Sequence, residues 1–333
     1  MTLAPYIHAM GRGPGRARHL TGPEARDAMR LILSGKADPH AIGALLMLMR
    51  YRGETPDEIA GFVRAVRGTI PALPQVDLDW PSYAAGRTRG LPWFLLSARL
   101  VAQSGARVLL HGWNSHQSDK ADVRSSLSYA GIEQAHSPDD AARLLDRHGI
   151  AYLPLEHFAP RALDLLRLRE VLGLRSCVNT VCRVLNPAGA RAAVQGVFHP
   201  PYRDLQQAAG AALGQPDLCI LKGGGGEFER NPTKDVALFR LQGGVPVQTM
   251  LPPLLDQARK LADRTIAPNA LQDLWQGRLQ DAFATSIVTG TAAAALIALG
   301  HPHDTAQTQA QSLWNGRRPR TRTARLHQGA IAP

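Results

Sequence analysis

Cysteine is scarce in this chain: three of its 333 residues, Cys177, Cys182 and Cys219. They form no CxxC pair and no even set. That argues against a disulfide framework and against a zinc site, and it places the chain in a reducing cytoplasm. Acidic residues are also in deficit, 27 against 38 basic ones, for a formal net charge of +11. Charge of this sign says nothing about fold. It favours anionic partners, with nucleic acid first and a membrane surface or phosphorylated small molecules second. Aromatics are only 5% of the chain and sparse in its basic segments, so stacking on single-stranded bases is not expected. No apolar run reaches the roughly 20 residues of a membrane span. The most apolar stretch, Thr285 to Gly300, is dotted with Thr and Gly and reads as a buried helix. The N-terminal MTLAPYIHAMGRG lacks the apolar core of a signal peptide. Walker and GxGxxG loops, zinc-finger spacing and helix-turn-helix or RNP motifs are all missing.

What is present is enough apolar residue, 44%, to bury a core in one large or two ordinary domains. Residues 1–20, with Arg12, Arg16 and Arg18, read as a basic, loosely structured arm or an ordinary frayed terminus. Thr21 and Thr55 are N-caps for helices from Pro23 to Ser34 and from Pro56 to Thr69. Between them IGALLMLM, with Met47 and Met49, reads as core or dimer seam. Helices are also expected over Pro92–Ser104, Pro138–His148, Leu205–Leu213, Leu254–Leu261, Leu271–Gln280, Ala282–Leu299 and Thr305–Asn315. Strands are expected at Val108–Leu110, Ile150–Leu155, Ala192–Phe198, Asp217–Lys222 and Val236–Leu241. The stretch from Leu166 to Tyr202 joins the two regimes. Its helical spacing stops at Gly173, a short helix runs from Leu174 to Val184, NPAG stops that, and a strand follows.

The same stretch carries a family resemblance. RxxLG (Arg169 to Gly173), Asn179, LNPA (Leu185 to Ala188) and GVFHPPY (Gly196 to Tyr202) resemble the middle of anthranilate phosphoribosyltransferase, a glycosyltransferase family 3 enzyme. The likeness runs from about Arg26 to Ala330 and is closest to the divergent YbiB type, which resembles nucleic-acid binders more than enzymes. It implies an α/β protein with a smaller all-α domain, the class III nucleoside phosphorylase fold. By this resemblance residues 1–75 and 165–190 form a helical domain that makes a homodimer. Residues 76–164 and 191–333 form the α/β domain with a basic C-terminal tail.

The resemblance also shows where this chain departs from the enzymes. Their GTGGD loop, whose backbone N–H groups hold the diphosphate of phosphoribosyl pyrophosphate, is Tyr83-Ala84-Ala85-Gly86-Arg87 here. Their KHGN is Leu110-His111-Gly112-Trp113-Asn114, without the lysine. His111 therefore reads as structural or hydrogen-bonding rather than as a general base. The acidic pair of GxxGxDE, which binds magnesium, becomes Glu227 and Glu229, separated by one residue. The Gly-Pro of the middle motif is Cys182-Arg183. Ala85, Gly86, His111, Gly112, Asn114, Arg169 and Glu227 thus outline a degenerate substrate pocket. No catalytic residue, metal or cofactor is expected.

Positive charge gathers elsewhere. Lys222, Gly223 and Gly224 open a Gly-rich turn followed by Arg230 and Lys234, which reads either as a phosphate contact or as a flexible turn with solvated charges. Arg87 and Arg89 stand in the altered loop. Arg317, Arg318 and Arg320 begin an arginine run that is either a nucleic-acid contact or a solvated tail. The reading is a sequence-nonspecific nucleic-acid binder that contacts phosphates and does not act on a membrane. The alternative is a family 3 transferase or phosphorylase with altered substrate.

Overall fold

The structure, a computed structural model, describes residues 2–13, 15–84, 90–113, 122–261 and 267–317. Four helices open the chain: α1 (Ala4–Gly11), α2 (Gly22–Leu33), α3 (Pro39–Arg52) and α4 (Pro56–Arg67). Then β1 (Leu78–Ser82), α5 (Phe94–Ala102), β2 (Val108–Gly112), α6 (Val123–Ala130), α7 (Pro138–His148) and β3 (Ile150–Pro154) alternate. Two helices, α8 (Pro160–Leu172) and α9 (Val178–Val184), return toward the first four. The remainder is β4 (Ala192–Val197), α10 (Tyr202–Ala212), β5 (Asp217–Lys222), the hairpin β6 (Val236–Gln242) and β7 (Val245–Leu251), and α11 (Asn269–Trp275), α12 (Ala282–Ala298) and α13 (His303–Asn315). One sheet runs β3-β2-β1-β4-β5-β6-β7, parallel up to β5 and antiparallel beyond. This is an α/β fold with an N-terminal helical bundle.

Strand alternation assigns each face of this sheet to its own layer. Val108 and Leu110 of β2, Ile150 and Tyr152 of β3, and Cys219 and Leu221 of β5 join the core built with α5, α11, α12 and α13. Leu109, Ala151 and Leu153, between them in sequence, join the core of the helical bundle on the other face. Leu218 and Ile220 pack with Phe239 and Leu241 in a third, small cluster. Helix α12 is apolar all round because it lies buried against the sheet and α5. No described helix is long and apolar enough to cross a membrane.

Three expectations change. The N-terminal arm is a helix, α1, with Leu3 and Met10 buried against the bundle. No helix forms at Leu254–Leu261. After Pro252-Pro253, the Leu254 and Leu255 N–H groups donate to the Pro232 carbonyl at 2.7 and 3.1 Å, and Leu255 packs on the larger core. Two elements were not expected: α6, capped by Asp122, and β7, which has only β6 as a neighbour and so needs no buried alternation.

Arg18, read as part of the basic arm, is engaged at the start of α2. Its guanidinium makes a bidentate pair with Glu24 at 2.6 and 2.7 Å, and the Glu24 carboxylate also accepts from the Thr21 N–H at 2.9 Å. The hydrogen bond from Arg18 is the largest influence and, helped by the hydrogen bonds from Thr21, it draws the Glu24 carboxyl down from 4.5 to about 2 against the opposing effect of burial. A depressed carboxyl contributes stability above its unfolded value, and that contribution is lost as pH falls from about 4.5 toward about 2. Both side chains are substantially solvated, so screening limits the effect. Glu24→Gln is expected to cost about 1 kcal/mol at neutral pH. Urea titrations should show the gap between wild type and variant closing over that acid window. A gap independent of pH would overturn the assignment.

Candidate anion-binding cleft

The C-terminal end of β4 and the start of α10 face the α8–α9 turn, α9 and the end of α3. A cleft of about 270 Å3 opens between them. Arg50 of α3, Arg169 of α8, Arg175 in the turn and Arg183 of α9 line one side, and Phe198, His199 and Tyr202 at the β4–α10 junction line the other. Gly173 adopts φ 68° to end α8, which lets the chain reverse and bring Arg175 back beside Arg169. Among the described residues no carboxylate lines the cleft, and the Glu54 carboxylate behind it accepts from the Tyr202 hydroxyl at 3.1 Å. Burial, and after it the neighbouring charges of Arg169 and Arg50, lower the Arg175 pKa. A cluster of like charges held this close is an electrostatic site for an anion.

Arg183 is buried at the floor. It donates to the carbonyls of Gly196 at 3.0 Å and Tyr83 at 3.1 Å. Burial lowers its pKa to about 10, and the charge of Glu227 opposes that shift. Asn179 donates to the same Tyr83 carbonyl at 3.1 Å. Helix α9 therefore holds the end of β1, just before the altered glycine loop.

Glu227 and Glu229 hold the same loop from the other side. Glu227 accepts from Ser82 Oγ at 2.9 Å and from the Ala84 N–H at 3.2 Å. Glu229 accepts from the Phe94 N–H at the start of α5, at 3.0 Å. Both are buried, and neither lines the cleft. Among the described residues no cluster of His, Cys, Asp or Glu could hold a metal ion. Leu110, in the lysine position, lies in the larger core. His111 is buried, with Nδ1 2.8 Å from the Tyr83 hydroxyl and Nε2 3.2 Å from Asp79, and is packed edge-on to Phe158. A Cβ on Gly112 would stand 2.1 Å from the Ser82 carbonyl, so this glycine serves close strand packing.

The residues read from sequence as phosphate contacts do not converge. Lys222 and Lys234 are exposed, but they lie outside the cleft. Gly223 and Gly224 form a packed turn, not an open loop: a Cβ on Gly223 would meet the Glu227 carbonyl at 1.8 Å, and one on Gly224 would meet Glu229 and Leu261. Arg230 must be corrected. It is buried under α12, donates to the Pro252 carbonyl, and its pKa is lowered by burial to about 10. Its own N–H donates to Thr291 Oγ1 of α12 at 2.9 Å, so the backbone is pinned beneath that helix and the side chain is buried with it. Arg317 must be corrected as well. It sits 3.8 Å above the Trp314 ring and donates to the Trp275 and Trp314 carbonyls at 2.8 and 2.7 Å, closing the ends of α11 and α13. Ala85, Gly86, Arg87, Arg89, Asn114, Arg318 and Arg320 lie outside the described residues. Of the named site residues that are described, only Arg169 lines the cleft. Arg50, Arg175, Phe198, His199 and Tyr202 were not picked out as site residues, because they come from three separate segments. The GVFHPPY text was the available signal.

Comparison with known proteins agrees with this architecture. Residues 4–69 match the helical bundle domain of the glycosyl transferase family. The chain is 30% identical over 322 residues to an anthranilate phosphoribosyltransferase of Solibacter usitatus, covering 90% of each protein. It is 37% identical over 187 residues to that of Rhizobium rhizogenes, spanning 55% of this chain and 54% of that relative. The crystal structure of anthranilate phosphoribosyltransferase from Thermus thermophilus superposes with a TM-score of 0.78 over 95% of this chain and 94% of that one, at 23% identity. The Saccharomyces cerevisiae enzyme in complex with PRPP and Mg gives 0.76 over 94% and 93%, at 15% identity. With the helical bundle, the seven-stranded sheet and this extent of identity taken together, the chain belongs to the anthranilate phosphoribosyltransferase family, glycosyltransferase family 3.

Proposed function

We propose that this protein binds nucleic acid, with the arginine-lined cleft as the place where phosphate is held. The observation that carries the reading is the cleft wall itself: Arg50, Arg169, Arg175 and Arg183 with no carboxylate among the described lining residues. The commitment of Glu227 and Glu229 to Ser82, Ala84 and Phe94 supports a site that works without the family's acidic pair. The resemblance of the Lys222–Glu229 text, KGGGGEFE, to the YbiB type supports the same reading. Contacts of this kind hold phosphates and do not read base edges, so binding is largely independent of sequence and falls with salt. A homodimer belongs to the same reading. Tyr51 at the end of α3 and Val171 near the end of α8 are 91% and 81% exposed and supply an apolar contact on the helical side. A monomeric mass in solution scattering counts against that contact.

The test is fluorescence anisotropy with labelled oligonucleotides of unrelated sequence over a salt series. The double variant Arg169→Ala/Arg175→Ala is expected to bind all of them about tenfold or more weakly. Its salt slope should be flatter by about two phosphates, at roughly 0.9 log units each. Lys222→Ala/Lys234→Ala, on the surface outside the cleft, should change less. Wild-type affinity and slope in the arginine variant would sink the reading.

The family relationship favours a second reading, a transferase with altered substrate, since an arginine cleft also suits a small phosphate or carboxylate. Saturable, magnesium-dependent binding of phosphoribosyl pyrophosphate in calorimetry would support it over the first.

A further inference from the structure

The cleft that carries the arginines also carries an exposed aromatic face. Phe198 follows the last residue of β4 and remains 45% exposed, whereas Val197 before it is buried. Its ring packs edge-on to His199, with centroids 4.8 Å apart at 86°. The backbone beneath it is held firmly. Val197 pairs with Lys222 across the sheet, and Arg183 donates to the Gly196 carbonyl. Phe198 thus stands on an anchored backbone and lines the same cleft as Arg169 and Arg175. Aromatics are sparse along the basic segments of the sequence, but the fold brings this one among the arginines.

We infer that the cleft receives one unpaired nucleotide of a single strand, with its base against Phe198 and its phosphate on Arg169 and Arg175. This rests on the nucleic-acid reading above and narrows its substrate class. Chemistry points to a single strand. Bases in a duplex are stacked and offer no free π face, whereas an unpaired base can be splayed onto an aromatic ring. Every base has such a face, so the contact tolerates any sequence. A free mononucleotide carries the same two groups, and the test separates it from a strand.

The test uses the full chain, with anisotropy for the labelled strands and competition for the unlabelled nucleotide. The probes are a single-stranded oligonucleotide, its duplex, an abasic single strand with the same phosphates, and a nucleoside monophosphate. Wild type is expected to prefer the single strand over both the duplex and the abasic strand. Phe198→Ala should weaken the single strand about 5- to 100-fold and leave the duplex and abasic strand unchanged. Phe198→Tyr, which keeps the ring, should bind as wild type does. Because Phe198 is half exposed, both variants should keep the wild-type thermal midpoint. Equal wild-type affinity for single strand and abasic strand, or no effect of Phe198→Ala, overturns the stacking contact while arginine-dependent binding still stands. Binding of the monophosphate as tight as that of the strand, with the same Phe198 dependence, overturns the single strand as ligand. Absence of binding to every nucleic acid overturns both proposals.

Discussion

Gly223→Ala is expected to destabilise the protein by about 3 kcal/mol or more, although it adds one methyl group to a run of glycines. The reason is backbone contact. An ideal Cβ at Gly223 would lie 1.8 Å from the Glu227 carbonyl oxygen and 2.9 Å from the Glu229 nitrogen. Its partner glycine at the end of β4, Gly196, meets the same segment, with a Cβ 2.1 Å from the Glu227 carbonyl carbon. The two glycines let residues 226–229 lie across the ends of β4 and β5, which in turn aims Glu227 at Ser82 and Ala84 and Glu229 at Phe94. No flexible side-chain end is available to move aside, so the strain cannot be relieved cheaply. Gly243→Ala in the β6–β7 turn is the control. Its φ of 57° is unfavourable for alanine, but a Cβ there meets nothing within 4 Å, so the cost should be about 1 kcal/mol. Urea unfolding of the two variants separates the cases. Equal midpoints would mean that the Gly-rich turn is a loose loop after all.

Arg183→Leu is expected to cost about 3–5 kcal/mol, from two buried carbonyls that each lose a charged donor. Two carbonyls, of Gly196 and Tyr83, lose their charged donor, and Glu227 loses an opposite charge in a buried setting. The double variant Arg183→Leu/Glu227→Gln should be less damaging than the sum of its single changes by about 1–3 kcal/mol. Additive losses measured by urea unfolding would show that the two charges do not interact. An effect of Arg183→Leu below about 1 kcal/mol would show that the guanidinium is not needed at the floor of the cleft. The two substitutions probe the same joint from opposite sides. Gly223 governs how close the 226–229 segment comes to the sheet, and Arg183 governs how α9 is tied to β1 and β4.

Much of this architecture was legible in the sequence because it is written locally. Thr21 and Thr55 announce α2 and α4, since a hydroxyl before Pro and three residues before Glu satisfies the first free N–H groups of a helix. Gly173 ends α8 because only the left-handed conformation reverses the chain there. DLCILK and AAVQGV are strands because both faces of a parallel sheet are buried. The Leu166–Tyr202 text also led to the family, since its motif residues stand at fixed spacing. Local signals failed where a segment's environment decides its form. Leu254–Leu261 has helical residues but is pinned to Pro232 as an extended loop, and α1 is stabilised by burying Leu3 and Met10 rather than by its own composition.

Function divides along the same line. By itself the sequence determined the net positive charge, the loss of the lysine and glycine-loop motifs, and the split acidic pair, because these are matters of which residue stands at which place. Only the tertiary structure decided where the charges sit and what they face. Arg230 and Arg317, equal to any other arginine in a charge count, are withdrawn by burial and by contact with Trp314. Arg50, Arg169, Arg175 and Arg183, spread over more than a hundred residues of chain, are gathered around Phe198 by the turn at Gly173 and the crossing of α9 over the ends of β1 and β4. Charge is a property of composition. A binding site is a property of distance and burial, and those are set by long-range packing that no local stretch of sequence contains.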